Sequence, residues 1–176
     1  MKRLNVGSGT DRRKNWVNLD YNSEYHPDVI WDLTQLPLPF KDNEFDEVIM
    51  IHVLEHFHDP LLIVNELWRI SKPGGNITIK VPHWSCHFSK GDLTHHHQFS
   101  SRDFSHYNLD PIYYNKSARF KVTTRLNCIN ARGRWWAQCI KAIMNPLLNA
   151  SFSLTENVLC RIFPIYEIIN ALEVVK

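Results

Sequence analysis

Residues 32–60 read DLTQLPLPFKDNEFDEVIMIHVLEHFHDP, and the second half of that stretch decides the fold. Phe45–Ile51 reads as an apolar strand launched by the acidic turn Asp42-Asn43-Glu44. Strands that run apolar without alternation are buried on both faces, as in a parallel sheet. A parallel neighbour needs a crossover, usually a helix. Asp59-Pro60 supplies its start: Asp can accept from the free N–H groups of the first turn, and Pro suits the first helical position. Ile63, Leu67 and Ile70 give the helix an apolar stripe, and Lys72-Pro73-Gly74-Gly75 stops it. In Asn76–Val81 the apolar residues Ile77, Ile79 and Val81 alternate on one face, predicting the next strand.

The pattern continues outward in both directions. Upstream, Leu4–Val6, Trp16–Leu19 and Val29–Trp31 read as short strands, the last two ending at Asp20 and Asp32. Gly7-Ser8-Gly9 follows the first strand, and Asp20 comes too soon afterwards for a full helix between them. The first helix is therefore expected to be missing or one turn long. Downstream, residues 82–117 are polar, histidine-rich and aromatic, and are expected to form long loops. Arg119–Ile129 alternates, predicting a half-exposed edge strand. Trp136, Ile140, Ile143 and Leu147 recur at helical spacing, and Pro146 is expected to kink or end that helix. Ile165–Val175 reads as a last strand. Strand–helix alternation closing on two strands predicts a three-layer α/β fold.

A chain of 176 residues suits one domain. We read residues 1–176 as that domain, with 82–117 as acceptor-side loops and 132–163 as a C-terminal helical insertion. A formal net charge of +2 lacks the basic excess of an electrostatic nucleic-acid binder, so no nucleic-acid partner is expected. No apolar run approaches the roughly 18–20 residues needed to span a membrane, and MKRLNVGSG lacks a signal-peptide apolar region. Cys86, Cys128, Cys139 and Cys160 form no CxxC pair, and reduced thiols in the cytoplasm are the expected state.

Ligands in open α/β sheets bind at the carboxyl ends of the strands. A glycine turn there lets backbone approach a ligand. An acid ending the second strand can accept both ribose hydroxyls, and one after the third can accept from an exocyclic amine. Gly7, Gly9, Asp20 and Asp32 thus outline an adenosine site.

The strings LNVGSG, WVNLD, DLTQLPLPFKDNEFDEVIMIHVLEHFHDP and ELWRISKPGGNITIKVP resemble class I S-adenosylmethionine-dependent methyltransferases, closest to the small type-11 branch with a truncated first helix. The loop PHWSCHFSKGDLTHHHQFSSRDF and the tail IFPIYEIINALEVVK extend the similarity. The resemblance implies a Rossmann-like sheet, mostly parallel with an antiparallel C-terminal strand, and S-adenosyl-L-methionine as cofactor. Gly7, Ser8 and Gly9 would then line its methionine end and Asp20 its ribose. Asp32 and the Leu33 amide would read adenine, and His52 would sit beside the sulfonium. Asp11 stands where many relatives carry a third glycine, implying a tighter loop.

The implied reaction is methyl transfer to a small-molecule, saccharide or cell-envelope glycan acceptor, with O-methylation expected. A hydroxyl acceptor needs a general base, and imidazole is poised for that near neutral pH. His56, His83 and His95 are the candidates, and His95 oriented by Asp92 is preferred. A plain polar loop or a helix tether explains the same histidines. The alternative function is a non-catalytic S-adenosylmethionine-binding partner subunit. Zinc ligation by His83, His87, His95–His97 and Cys86 lacks CxxC or helical His spacing, so no metal is expected. Arg132, Arg134, Trp135, Trp136 and Lys141 give an apolar helix a basic, aromatic start. That start suits a peripheral membrane or lipid-linked contact, and equally a core or dimer face.

Overall fold

The computed structural model describes residues 1–105, 118–130 and 134–176. Among the described residues seven strands form one sheet: β1 (Arg3–Val6), β2 (Val17–Asp20), β3 (Val29–Ile30), β4 (Phe45–Ile51), β5 (Ser71–Pro82), β6 (Arg119–Asn127) and β7 (Glu167–Val175). Their spatial order is β3-β2-β1-β4-β5-β7-β6. Pairing is parallel from β3 to β5, and β7 runs antiparallel to both β5 and β6. The order reverses between β1 and β4, where ligand crevices open in α/β sheets.

No helix joins β1 to β2, as the short interval predicts. Two buried asparagines replace it. Asn5 donates to the Asp11 carbonyl at 2.7 Å, and Asn18 accepts from the Arg13 amide at 2.8 Å. The crossover from β4 to β5 is helix α1 (Pro60–Ile70). Asp59 caps it by accepting from the Leu61 amide, with Pro60 in the first turn. Ile63, Leu67 and Ile70 are fully buried against a core that includes Leu4, Val6, Leu19, Val48, Met50, Ile77, Ile79 and Val81.

The loop region 82–117 is less irregular than expected over its described part. It contains a short helix, α2 (His87–Gly91), and a parallel bridge between His83 and Phe99. Residues 106–117 of it lie outside the described residues. Strand β6 is the sheet edge, as its alternation predicts.

Pro146 neither ends nor interrupts the helix expected around it: α3 spans Trp135–Ala150. The reason lies on β6. Asn149 takes both the Leu126 amide (2.8 Å) and the Leu126 carbonyl (2.9 Å). Asn145 accepts from the Cys128 amide at 3.0 Å. These bonds occupy an edge that would otherwise offer unpaired backbone groups, and they hold the helix on both sides of the proline. The consequence for packing is unexpected. Ala137 and Leu148 are buried, whereas Trp136, Ile140, Ile143 and Leu147 are exposed. Helical turns Phe152–Leu154, Thr155–Leu159 and Cys160–Ile162 lead from α3 towards β7.

Candidate functional site

The C-terminal ends of β3, β2, β1 and β4 stand side by side and carry Asp32, Asp20, the Gly7–Gly9 turn and His52 in that order. Gly7 has φ +65°, and a Cβ there would lie 2.5 Å from Val53 Cγ2, so the turn after β1 fits tightly against the turn after β4. Gly9 has φ +47°, and a Cβ there would meet nothing within 4 Å. Between them the buried Ser8 hydroxyl has no hydrogen-bond partner. An orphaned hydroxyl beside an open glycine backbone fits the methionine end of S-adenosylmethionine, the role that the resemblance implies for this turn.

Asp20 is buried, and its carboxylate accepts from the Gly9 amide at 2.7 Å and the Asn22 amide at 3.0 Å. The residue expected to hold ribose therefore also shapes the glycine turn. A carboxylate has about four acceptor positions, so two bonds leave capacity for hydroxyl donors. Asp32 is exposed, and one of its oxygens accepts from the Thr34 amide (2.9 Å) and the Thr34 hydroxyl (2.8 Å). Those bonds hold its pKa below the ordinary value. Leu33 is half-buried beside it.

His52 has φ +53°, an uncommon backbone for a residue with a side chain. Its ring lies 3.5 Å from Glu167 and 3.6 Å from Glu55. Burial alone would lower its pKa, but the Glu167 and Glu55 carboxylates together raise it to about 9. The two flanking carboxylates offset the charge of the imidazolium.

On the far side of His52 lies a cavity of about 840 Å³, with Glu55, His56, Asp92, His95 and Tyr166 in its wall. The two histidine-rich segments meet here. The Glu55 carbonyl accepts from the amides of His96 (2.9 Å) and His97 (3.3 Å), and His97 Nε2 donates to the His58 carbonyl at 2.9 Å. His95 Nε2 lies 3.8 Å from Asp92 and 4.0 Å from Glu55. Asp92 bonds chiefly to Thr94, from its amide at 2.9 Å and its hydroxyl at 2.6 Å, so Glu55 is a second carboxylate flanking His95. Sequence reasoning missed Glu55 as a site residue. Its only signal was a carboxylate directly before His56.

His83, the third candidate base, is fully buried. The Ser85 amide donates to its Nδ1 at 3.1 Å, so its Nε2 donates to Glu156 at 3.1 Å. Glu156 also accepts from Trp84 Nε1 (2.9 Å) and the Ser101 amide (2.7 Å). Burial pushes Glu156 up, but the bonds from His83, Ser101 and Trp84 outweigh it and hold the pKa at about 2. His83 is thus a structural tie between the loop after β5 and the helical turn Thr155–Leu159. A second cavity of about 400 Å³ shares His52 and Tyr166 with the first and adds Arg13, Lys80 and Lys141.

The strand order, the glycine turn and the strand-end acids together define a class I methyltransferase fold. Residues 4–79 match a family model described as a methyltransferase domain. Over those residues the chain is similar to S-adenosylmethionine-dependent methyltransferases, and its fold is that of the class I enzymes. A protein of Mycolicibacterium smegmatis named "Probable S-adenosylmethionine-dependent methyltransferase" is 30% identical over 102 residues, covering 58% of this chain and 38% of the relative. A demethylmenaquinone methyltransferase of Streptomyces griseus is 40% identical over 57 residues, 32% of this chain and 22% of that protein. The chain thus spans well under half the length of these curated relatives. A crystal structure of a SAM-dependent methyltransferase from Archaeoglobus fulgidus shares the fold, with a TM-score of 0.62 at 16% identity over 98% of this chain and 86% of that one. No helix among the described residues is long and apolar enough to cross a membrane.

Proposed function

We propose that the protein transfers a methyl group from S-adenosylmethionine to a hydroxyl of a saccharide-type or other small-molecule acceptor held in the cavity beyond His52. The observation that carries this reading is the adjacency of two sets of residues. The glycine turn, Asp20 and Asp32 line one side of His52, and Glu55, His56, Asp92 and His95 stand on the other. Gly7, Ser8 and Gly9 hold the methionine end of the cofactor, Asp20 the ribose, and Asp32 with the Leu33 amide the adenine. When bound, the cofactor supplies a methyl group on a sulfonium, activated for in-line displacement by the acceptor oxygen. The chain's own residues align the acceptor and exclude water. The hydroxyl's proton goes to the cluster of Glu55, Asp92 and His95. The preferred pair, Asp92 and His95, belongs to that cluster without forming a direct hydrogen bond at 3.8 Å.

We place the acceptor at or near a lipid surface. Trp135, Ile140, Ile143 and Leu147 of α3 are exposed together. The basic residues of the same helical segment are Arg134, Lys141 and Arg161, while its one acid, Glu156, is turned inward to His83. An apolar face framed by positive charge suits an anionic interface. Arg132 of that basic start lies outside the described residues. The four cysteines are free, as a reducing compartment such as the cytoplasm would keep them.

The test is S-adenosylhomocysteine release against panels of cell-envelope glycans, nucleotide sugars and lipid extracts. Turnover with a hydroxylated acceptor is expected. Tight cofactor binding with no turnover on any panel favours the non-catalytic partner subunit instead.

A further inference from the structure

The buried carboxylate at the cavity wall lacks what a buried carboxylate needs. Glu55 is 1% exposed, and neither of its oxygens has a hydrogen-bond partner. His52, at 3.6 Å, is beyond hydrogen-bonding distance and is shared with Glu167. A buried carboxylate without hydrogen bonds needs positive charge beside it, and the cation beside this one, the His52 imidazolium, divides its charge between Glu55 and Glu167. Two imidazoles face the same point. One ligating atom from each of Glu55, His56 and His95 lies within 4.8 Å of the others.

The histidines are also oriented as metal ligands are. His95 turns Nδ1 to the Ser89 carbonyl at 3.3 Å, which leaves Nε2 towards Glu55. The Thr94 hydroxyl donates to Asp92, so it accepts from His56 Nδ1 at 3.0 Å, with the Thr94 carbonyl at 3.3 Å. Each ring thus commits its Nδ1–H to an oxygen of the protein, which leaves Nε2 as the atom that can act as a ligand. Such outer bonds fix the tautomer of metal-bound histidine.

We infer that Glu55, His56 and His95 form a site for a divalent transition-metal ion, zinc by the chemistry of two imidazoles and one carboxylate. Three protein ligands leave a coordination position open to the cavity. Binding of the ion stands on this cluster alone, and the use made of it rests on the methyl-transfer reading. An acceptor hydroxyl held by the ion loses its proton to the Asp92 carboxylate. The O–H bond breaks and its electron pair stays on the oxygen, which forms the new O–CH3 bond as the S–CH3 bond breaks and its electron pair returns to sulfur, leaving S-adenosylhomocysteine.

The experiment titrates zinc chloride into the chelator-treated full chain by calorimetry, then repeats it with Glu55→Gln, His56→Ala, His95→Ala and, as a control, His96→Ala. One ion per chain is expected, with affinity about 100-fold weaker or worse in the three ligand variants and unchanged in His96→Ala. No stoichiometric uptake by the parent protein at micromolar zinc overturns the site, as does equal uptake by the ligand variants. If a ligand variant fails to fold, the visible spectrum of the cobalt-loaded parent decides. Intense bands of low-coordinate cobalt are expected, and the pale spectrum of hydrated cobalt overturns the inference. Calorimetry with S-adenosylhomocysteine on the same protein reports the cofactor site separately, so loss of the methyl-transfer reading is distinguishable from loss of the metal site.

Discussion

Gly7 and Gly9 share a positive φ but differ in surroundings, so replacing each with alanine separates packing from ligand access. Both variants incur a backbone cost on the order of 1 kcal/mol for placing a Cβ in the left-handed region. At Gly7 the new methyl would stand 2.5 Å from Val53 Cγ2 and 3.1 Å from its Cγ1, so the turns after β1 and β4 must separate. Overpacking of that kind typically adds about 1–3 kcal/mol. Gly7→Ala should therefore lower the melting temperature by roughly 5–12 °C for a chain of this size. At Gly9 the methyl meets nothing within 4 Å. Gly9→Ala should lose only roughly 2–4 °C, yet it fills the open face of the proposed cofactor cradle and should weaken S-adenosylhomocysteine binding about tenfold or more, a change of about 1.4 kcal/mol. The assay is thermal unfolding and calorimetry on both variants, with Val53→Ala and the double variant Gly7→Ala/Val53→Ala completing a cycle. The clash predicts a coupling on the order of 1 kcal/mol or more between positions 7 and 53. Additive effects there, or equal stability losses from the two glycine changes, would refute the reasoning.

Other outcomes follow from the same contacts. Glu156→Gln should destabilise the protein at pH 7. The folded pKa of Glu156, about 2, lies below its ordinary 4.5. Its contribution is therefore complete above pH 4.5 and fades as pH falls through 2. The gap between parent and variant in denaturant titrations should narrow across that window, and a constant gap would remove the carboxylate from the account. Asn149→Ala removes both bonds to Leu126 and should cost about 2–3 kcal/mol, with hydrogen exchange rising first along β6; unchanged protection there counts against the edge-capping role. Ile143→Glu on the exposed face of α3 should leave stability within about 0.5 kcal/mol and reduce co-sedimentation with anionic vesicles. Retained binding would point the lipid contact elsewhere.

Much of the sheet was legible because its signals are local. The cap at Asp59-Pro60, the apolar strand Phe45–Ile51 and the alternation of Ile77, Ile79 and Val81 each depend on neighbours within a turn or a strand. The glycine turn and the strand-end acids were legible for the same reason, since strand ends fix where they stand. What escaped was long-range. Asn5 and Asn18 read as polar interruptions of short strands, and only the fold shows them holding a loop in place of a helix. The periodicity of α3 identified a helix but not which side it buries, because Asn145 and Asn149 dock it by hydrogen bonds instead of its apolar stripe. Glu55 was invisible as a site residue because its partners come from the loop around His95, far away in sequence. His83 had the composition of a base and the surroundings of a strut.

The central claim is that the turn after β1 and the acid after β2 together hold S-adenosylmethionine. Calorimetric titration with S-adenosylhomocysteine of the parent protein and of Asp20→Ala and Asp92→Ala tests it most directly. Asp20 should make charge-assisted bonds to the ribose worth about 1.5–3 kcal/mol each, so Asp20→Ala should weaken binding by about 10-fold to 150-fold. Asp92→Ala, across His52 in the acceptor cavity, should bind as the parent does. Equal losses at Asp20 and Asp92, or no binding by the parent protein while NAD binds in its place, would contradict the account.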